Sequence, residues 1–174
     1  MPVSSLSRSL SVLAVAGAVV FATSQVRADE GGCKAVSGPF TARTVPVPPC
    51  TSPVGLCTSG HLGGELDGDY DFTASALYPH PTIPGALFAE GESVITTKKG
   101  IIRSHDFSTV IPVGPPTVPY PLETVINIYD GTKHYAKRTG SLVATGTITF
   151  ATGEVAGAYS GTICKDKKDK DDDD

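Results

Sequence analysis

The chain has 174 residues and a formal charge of −4, with 19 glycines, 14 prolines, four cysteines and no tryptophan. That length suits one domain, and an acidic balance argues against nucleic acid as a partner, because phosphate binding relies on a basic surface. The sequence holds no P-loop, GxGxxG turn, GxSxG elbow, CxxC pair or HExxH motif, so no cofactor and no metal is expected.

The first 28 residues read as a secretory signal peptide: Arg8 supplies a positive start, Leu10 to Ala22 a short apolar run, and Val26-Arg27-Ala28 a small-residue cleavage site. The run is shorter than the roughly 20 residues a membrane helix needs, and no later segment is long enough. An uncleaved N-terminal anchor is the alternative. Cleavage removes Arg8 and Arg27, which makes the mature chain more acidic and predicts a secreted or periplasmic protein. The four cysteines, Cys33, Cys50, Cys57 and Cys164, all follow the signal; an even count in an exported chain predicts two disulfides, with three connectivities open.

Beyond residue 28 there is no helical periodicity. Short runs of Val, Ile, Thr, Phe and Tyr alternate with Gly, Pro and Asp, an all-β pattern. A first strand is predicted over Gly38 to Val45, followed by a proline-rich connection from Pro46 to Pro53. Thr58 to Leu77 reads as a long extended segment. Leu66, Gly68, Tyr70, Phe72, Ala74 and Ala76 fall on one face, and Asp67, Asp69, Asp71, Thr73 and Ser75 on the other. Asp67-Gly68 is either a tight turn or a bend within this segment. Leu87 to Thr97 and Ile101 to Val110 form a predicted hairpin around Lys98-Lys99-Gly100. A proline-rich loop follows from Ile111 to Pro121, then a strand from Leu122 to Tyr129 and a short one through Tyr135. Ser141 to Ala151 and Glu154 to Ile163 form a last hairpin joined by Thr152-Gly153. Residues 165–174 are a charge run that cannot bury anything and are predicted to be disordered. About eight strands result, and closing them into a barrel removes exposed edges.

The stretch "VINIYDGTKHYAKRTGSLVATGTITFATGEVAGAYSGTI" resembles the allene oxide cyclase and dirigent barrels, through Gly131, Thr132, Tyr135, Gly140 and Leu142. Upstream, Gly68-Asp69-Tyr70-Asp71-Phe72 is similar to the Gly-x-Tyr-x-Phe strand of dirigent-like and bacterial cyclase-like members; the resemblance covers about residues 58–163. Asp130 and Lys133 stand where that family usually has glycine, and the 111–121 loop is unusual for it. The resemblance implies an eight-stranded antiparallel barrel over residues 29–164, with a cavity for an apolar small molecule. Plant members often form trimers through the barrel exterior, so a homo-oligomer is a further implication. Lys133 to Arg138 would then lie on a turn at a barrel rim, facing solvent or an anionic ligand.

The implied barrel carries an expectation for the cysteines. Its chain ends meet at one end, so Cys33–Cys164 pins the closing seam, and Cys50–Cys57 clasps the connection between the first two strands. Cys33–Cys50 would place partners at opposite ends of a strand, too far at about 3.3 Å per residue.

A three-residue loop in the Leu87–Val110 hairpin would place Glu90 and Glu92 beside Ile102, Ser104 and Asp106; a two-residue loop, at Lys98-Lys99 or Lys99-Gly100, puts them on one face with Arg103 and His105. Facing inward, these four are the catalytic candidates, a carboxylate beside His and Arg; facing outward, they form cross-strand ion pairs. Tyr70, Phe72, Tyr129 and Tyr159 are the ligand-cavity candidates. Asp67, Asp69 and Asp71 alternate as in a calcium loop, but Phe72 and Tyr78 occupy the positions where an EF-hand needs Gly and Glu. Three functions are consistent with this reading: binding a small apolar or amphipathic molecule without turnover, a cyclase or isomerase acting on a hydrophobic substrate, or a structural protein with a filled barrel.

Overall fold

In the computed structural model, which describes residues 32–165, the chain forms eight strands. They are β1 (Cys33–Thr44), β2 (Cys57–Leu62), β3 (Gly68–Pro79), β4 (Leu87–Thr97), β5 (Gly100–Val110), β6 (Tyr120–Gly131), β7 (Arg138–Thr149) and β8 (Glu154–Lys165). Each pairs antiparallel with its successor, and β8 closes on β1 into a barrel with no free sheet edge. The expected signal peptide and the tail beyond Lys165 lie outside the described residues.

Period-two alternation explains the closure. Val36, Phe40 and Ala42 of β1, Ile102 and Val110 of β5, Ile126 and Ile128 of β6, and Val155, Tyr159 and Ile163 of β8 are buried, with exposed residues between them. Seam pairing runs from Cys33↔Cys164 to Arg43↔Glu154. Where Gly146 of β7 faces Gly157 of β8, the Phe40 ring occupies the space a side chain would take. A Cβ on Gly157 would lie 2.1 Å from the Thr145 carbonyl oxygen and 2.8 Å from Phe40 Cε1.

Both expected disulfides are present, Cys33–Cys164 across the seam and Cys50–Cys57 within the β1–β2 connection. The second works with Ser52, whose hydroxyl donates to the Ala74 carbonyl (2.6 Å) and accepts from the Val54 and Leu56 N–H groups (3.2 Å each). Together they tie the proline-rich connection to β3 at one end of the barrel.

The other end is sealed by two 3-10 turns, Gly64–Leu66 and Lys133–Tyr135, which insert Leu66 and Tyr135 into the core. Gly64 has φ +75 and packs so closely on β1 that a Cβ would meet the Ser37 carbonyl oxygen at 2.3 Å, a backbone shape and approach suited to glycine. The Tyr159 hydroxyl donates to the Gly63 carbonyl (2.7 Å) and accepts from the Leu66 N–H (3.0 Å), which locks this plug.

Several boundaries differ from the sequence reading. The segment Thr58–Leu77 is not continuous; the turn at Gly64–Leu66 divides it before the Asp67-Gly68 pair. The strand expected through Tyr135 is the second 3-10 turn. β1 begins at Cys33, five residues before the expected Gly38. Ser75 is a β-bulge between Ala74↔Gly91 and Ala76↔Glu90. The extra residue reverses the alternation, so Ala76 faces outward and Leu77, opposite buried Ala89, faces in.

Candidate ligand site

The barrel interior is not filled along its whole length. A cavity of about 130 Å³ occupies the half between the two proline-rich loops and the barrel centre. Small inward residues leave this space: Ala42 on β1, Ala89 on β4 and Ala144 on β7 line it where large side chains would fill it. Leu77 and Phe150, 40% and 38% exposed, stand at its mouth. Its upper wall is apolar, carried by Val110, Ile148 and Val155.

The floor is polar. Ser108 and Thr124, cross-strand neighbours on β5 and β6, share a hydrogen bond of 2.8 Å, and Tyr70 and Thr58 line the cavity from β3 and β2. Beneath lies a layer contributed by β4 and β5. The Ser93 hydroxyl donates to Asp106 Oδ2 at 2.5 Å, and Ser104 faces Ser93 across the strand pair. Ser93, Ser104 and Asp106 are at most 1% exposed. Asp106 Oδ1 and Ser104 Oγ have no hydrogen-bond partner among the described residues. Burial pushes the Asp106 carboxyl up to about 6, against the opposing effects of the Ser93 and Ser104 hydroxyls and the His105 charge. Burial, and then the Asp106 charge, raise the Tyr70 hydroxyl above its ordinary value.

The candidates named from the sequence separate into two groups. Tyr70, Phe72 and Tyr159 line the cavity, with the Tyr159 hydroxyl already committed to the plug. Tyr129 does not: it is 43% exposed and stacks on His105 at 4.4 Å between ring centres, outside the barrel. Its placement follows from the β6 alternation, in which Thr124, Ile126 and Ile128 face inward and Tyr129 outward; it is also the extra residue of a second bulge, skipped between Arg103↔Asp130 and Ser104↔Ile128.

The catalytic candidates also lie outside. The hairpin has the two-residue loop Lys98-Lys99, which pairs Glu92 with His105 and Glu90 with Phe107. Glu92 Oε1 is 3.6 Å from His105 Nδ1, with both side chains more than half exposed. Glu90 accepts a hydrogen bond from the Tyr78 hydroxyl, and Arg103 is exposed between Val94 and Asp130. This is the solvated ion-pair face, and none of the four reaches the cavity. Sequence reasoning passed over Asp106 as a site residue, although it shares the parity of Ile102 and Val110.

Other polar groups form no enclosed site. Asp69 and Asp71 are exposed on β3, His61 Nε2 lies 3.1 Å from Asp67 Oδ1, and no cluster fit to hold a metal occurs among the described residues. A groove of about 490 Å³ beside the exposed Arg43–Glu154 pair is larger in volume but lies on the outer sheet surface. Lys133, His134 and Lys137 are exposed at the sealed end. Desolvation, and then Arg138, Lys99, Lys34 and Lys165 around it, hold His134 below the ordinary imidazole value.

Comparison of the chain with protein-family profiles, with curated proteins and with solved structures returns no match.

Proposed function

We propose that this protein is an exported binding barrel that takes up a small apolar or amphipathic molecule without turning it over. The observation that carries the reading is the apolar cavity, open at one end, with Ala42, Ala89 and Ala144 leaving its space and the Ser108 and Thr124 hydroxyls on one wall. Ligand pockets have this composition, predominantly apolar with a few convergent polar groups. Its volume of about 130 Å³ is below the roughly 300–1,000 Å³ of drug-sized pockets and near that of an engineered cavity of about 150 Å³ that admits benzene. The ligand is therefore a single ring or a short branched chain; a longer molecule leaves its remainder among Leu77, Phe150 and the mouth loops. The resemblance to the allene oxide cyclase and dirigent barrels supports the same reading, and two disulfides fit an oxidising compartment outside the cytoplasm. A cyclase-type reaction draws no support from Glu92 and His105, which face solvent.

Titration of the methyl-labelled protein with methylcyclohexane, followed by NMR, tests the proposal. Saturable shifts are expected at Ile126, Ala144 and Ile148. Ala144→Phe, which fills the space, is expected to abolish them, as is Ala89→Leu from the opposite wall. A wild-type protein without saturable shifts would refute the reading.

A further inference from the structure

The strand connections divide between two poles of the barrel. Segments 45–56, 80–86, 111–119 and 150–153 surround the cavity mouth, and 63–67, 98–99 and 132–137 lie at the plugged pole. The two sets differ in chemistry. None of the four mouth segments carries a Lys, Arg, Asp or Glu, whereas the shorter plugged-pole set carries Glu65, Asp67, Lys98, Lys99, Lys133 and Lys137. Lys165, where the charged C-terminal run begins, lies at the plugged pole too, opposite Arg138.

The mouth presents hydrocarbon instead. Val47, Val54, Ile83, Ile111, Val113 and Phe150 are exposed on its four segments, Val47 and Val113 by 62% and 60%. Leu77 and Tyr78 join them from the end of β3. Elsewhere among the described residues, only Phe107, Tyr129 and Val143 are large, apolar and exposed. Clustered apolar exposure marks contact with a protein or a membrane.

The backbone of the rim decides between the two. Ten of the 14 prolines lie in its first three segments, each removing an N–H donor. Other donors are used within the rim. The His80 N–H reaches the Ala86 carbonyl (2.8 Å), the Ala86 N–H the Ile83 carbonyl (3.1 Å), the Val118 N–H the Pro115 carbonyl (3.0 Å) and the Ala151 N–H the Pro116 carbonyl (2.9 Å). His80, the only ionisable side chain in the first two segments besides disulfide-bonded Cys50, accepts the Thr82 and Ile83 N–H groups at Nδ1 (3.2 and 3.1 Å). A protein partner is held by about one hydrogen bond per 100–200 Å², and this rim has few donors to give. Hydrocarbon asks for none, and penalises the unpaired backbone groups that proline and inward bonding remove. An anionic lipid surface recruits Lys and Arg, which the rim lacks, so its charge matches a neutral bilayer.

We propose that the rim is a lipid-docking surface, which seats the barrel mouth in the interfacial layer of a zwitterionic bilayer while the charged pole stays in water. Docking needs no ligand and stands apart from the binding reading above. Where that reading holds, an apolar molecule dissolved in the bilayer reaches the cavity without crossing water.

Flotation of the full-chain protein with dioleoylphosphatidylcholine vesicles, with no ligand present, tests the proposal. The wild type is expected to float with the vesicles, equally at about 50 mM and about 500 mM salt, because screening acts on charge. Ile83→Asp combined with Val113→Asp, two exposed loop positions, is expected to lower the partition coefficient by about tenfold or more. Lys98→Gln at the plugged pole is expected to stay within about twofold. In the wild type alone, a doxyl-labelled phosphatidylcholine in neutral bicelles is expected to broaden the methyl signals of Ile83, Ile111 and Val113 and to spare those of Leu66. Absence from neutral vesicles, or flotation only with anionic vesicles that salt reverses, would overturn the proposal. So would a wild-type dimer that stays off the vesicles and that the double variant makes monomeric, which would give the rim to a second copy of the chain. Docking without uptake of methylcyclohexane would remove the cavity reading and leave this one standing.

Discussion

Asp106 has a consequence for stability that is separate from any ligand. Its folded-state pKa of about 6 lies above its unfolded value, so between about pH 4 and pH 6 the native state holds a proton that the unfolded chain has released. The residue is thus tolerated at acid pH, and its burial increasingly opposes folding as pH rises through that window. The full penalty above pH 6 is on the order of 2–3 kcal/mol, from about two pKa units at 1.36 kcal/mol each. Urea unfolding of the wild type and Asp106→Asn at several pH values checks this. The stability difference between them is expected to move in favour of the variant from pH 4 to pH 7.5 and to level off there. A difference that is constant with pH would mean that the carboxyl ionises as freely inside the barrel as in water.

Among the elements, β7 and β8 show how closely the ribbons approach. Gly157 faces Gly146 with the Phe40 ring above them, so Gly157→Val has to displace an aromatic ring and press on the neighbouring backbone. A loss of at least about 1–3 kcal/mol in urea unfolding is expected, the cost of overpacking a core. Ala156→Val, one residue away on the exposed face, should stay within about 0.5 kcal/mol. The strands and the position of the hairpin turn were legible because alternation and turn residues are strong local signals, and the barrel because eight such strands leave edges that closure removes; the length of the hairpin loop, two residues or three, was not. The bulges were not. An extra Ser75 within Ala-Ser-Ala-Leu, or an extra Tyr129 between Ile128 and Asp130, leaves a plausible alternation on either register, and only the partner strand decides. The two 3-10 plugs were likewise invisible, because a turn that inserts a single Leu66 or Tyr135 has no period to detect. The candidate site was half legible. Tyr70 and Phe72 follow the β3 alternation, whereas chemical interest in Glu92 and His105 drew attention to the wrong face of a hairpin whose parity already placed Asp106 inside.

For the whole molecule, the two disulfides contribute unequally. Cys33–Cys164 closes a loop with a sequence separation of 131 and Cys50–Cys57 one of 7; loop entropy assigns them about 5 and about 2 kcal/mol. Replacing Cys33 and Cys164 by serine is therefore expected to lower the denaturation midpoint more than replacing Cys50 and Cys57, as followed by circular dichroism. The reverse order would place the stabilisation in the mouth clasp. The short bridge should instead matter for the ligand, since it holds the connection through which Ser52 reaches β3 at the cavity's open end. Geometry also gives the barrel a polarity. Cys33 and Cys164 meet at the plugged pole, and the entrance lies at the opposite one. A label, a solid support or a fused domain attached before Cys33 or after Lys165 hangs from the floor of the cup, and leaves the brim clear to meet whatever the surrounding fluid carries.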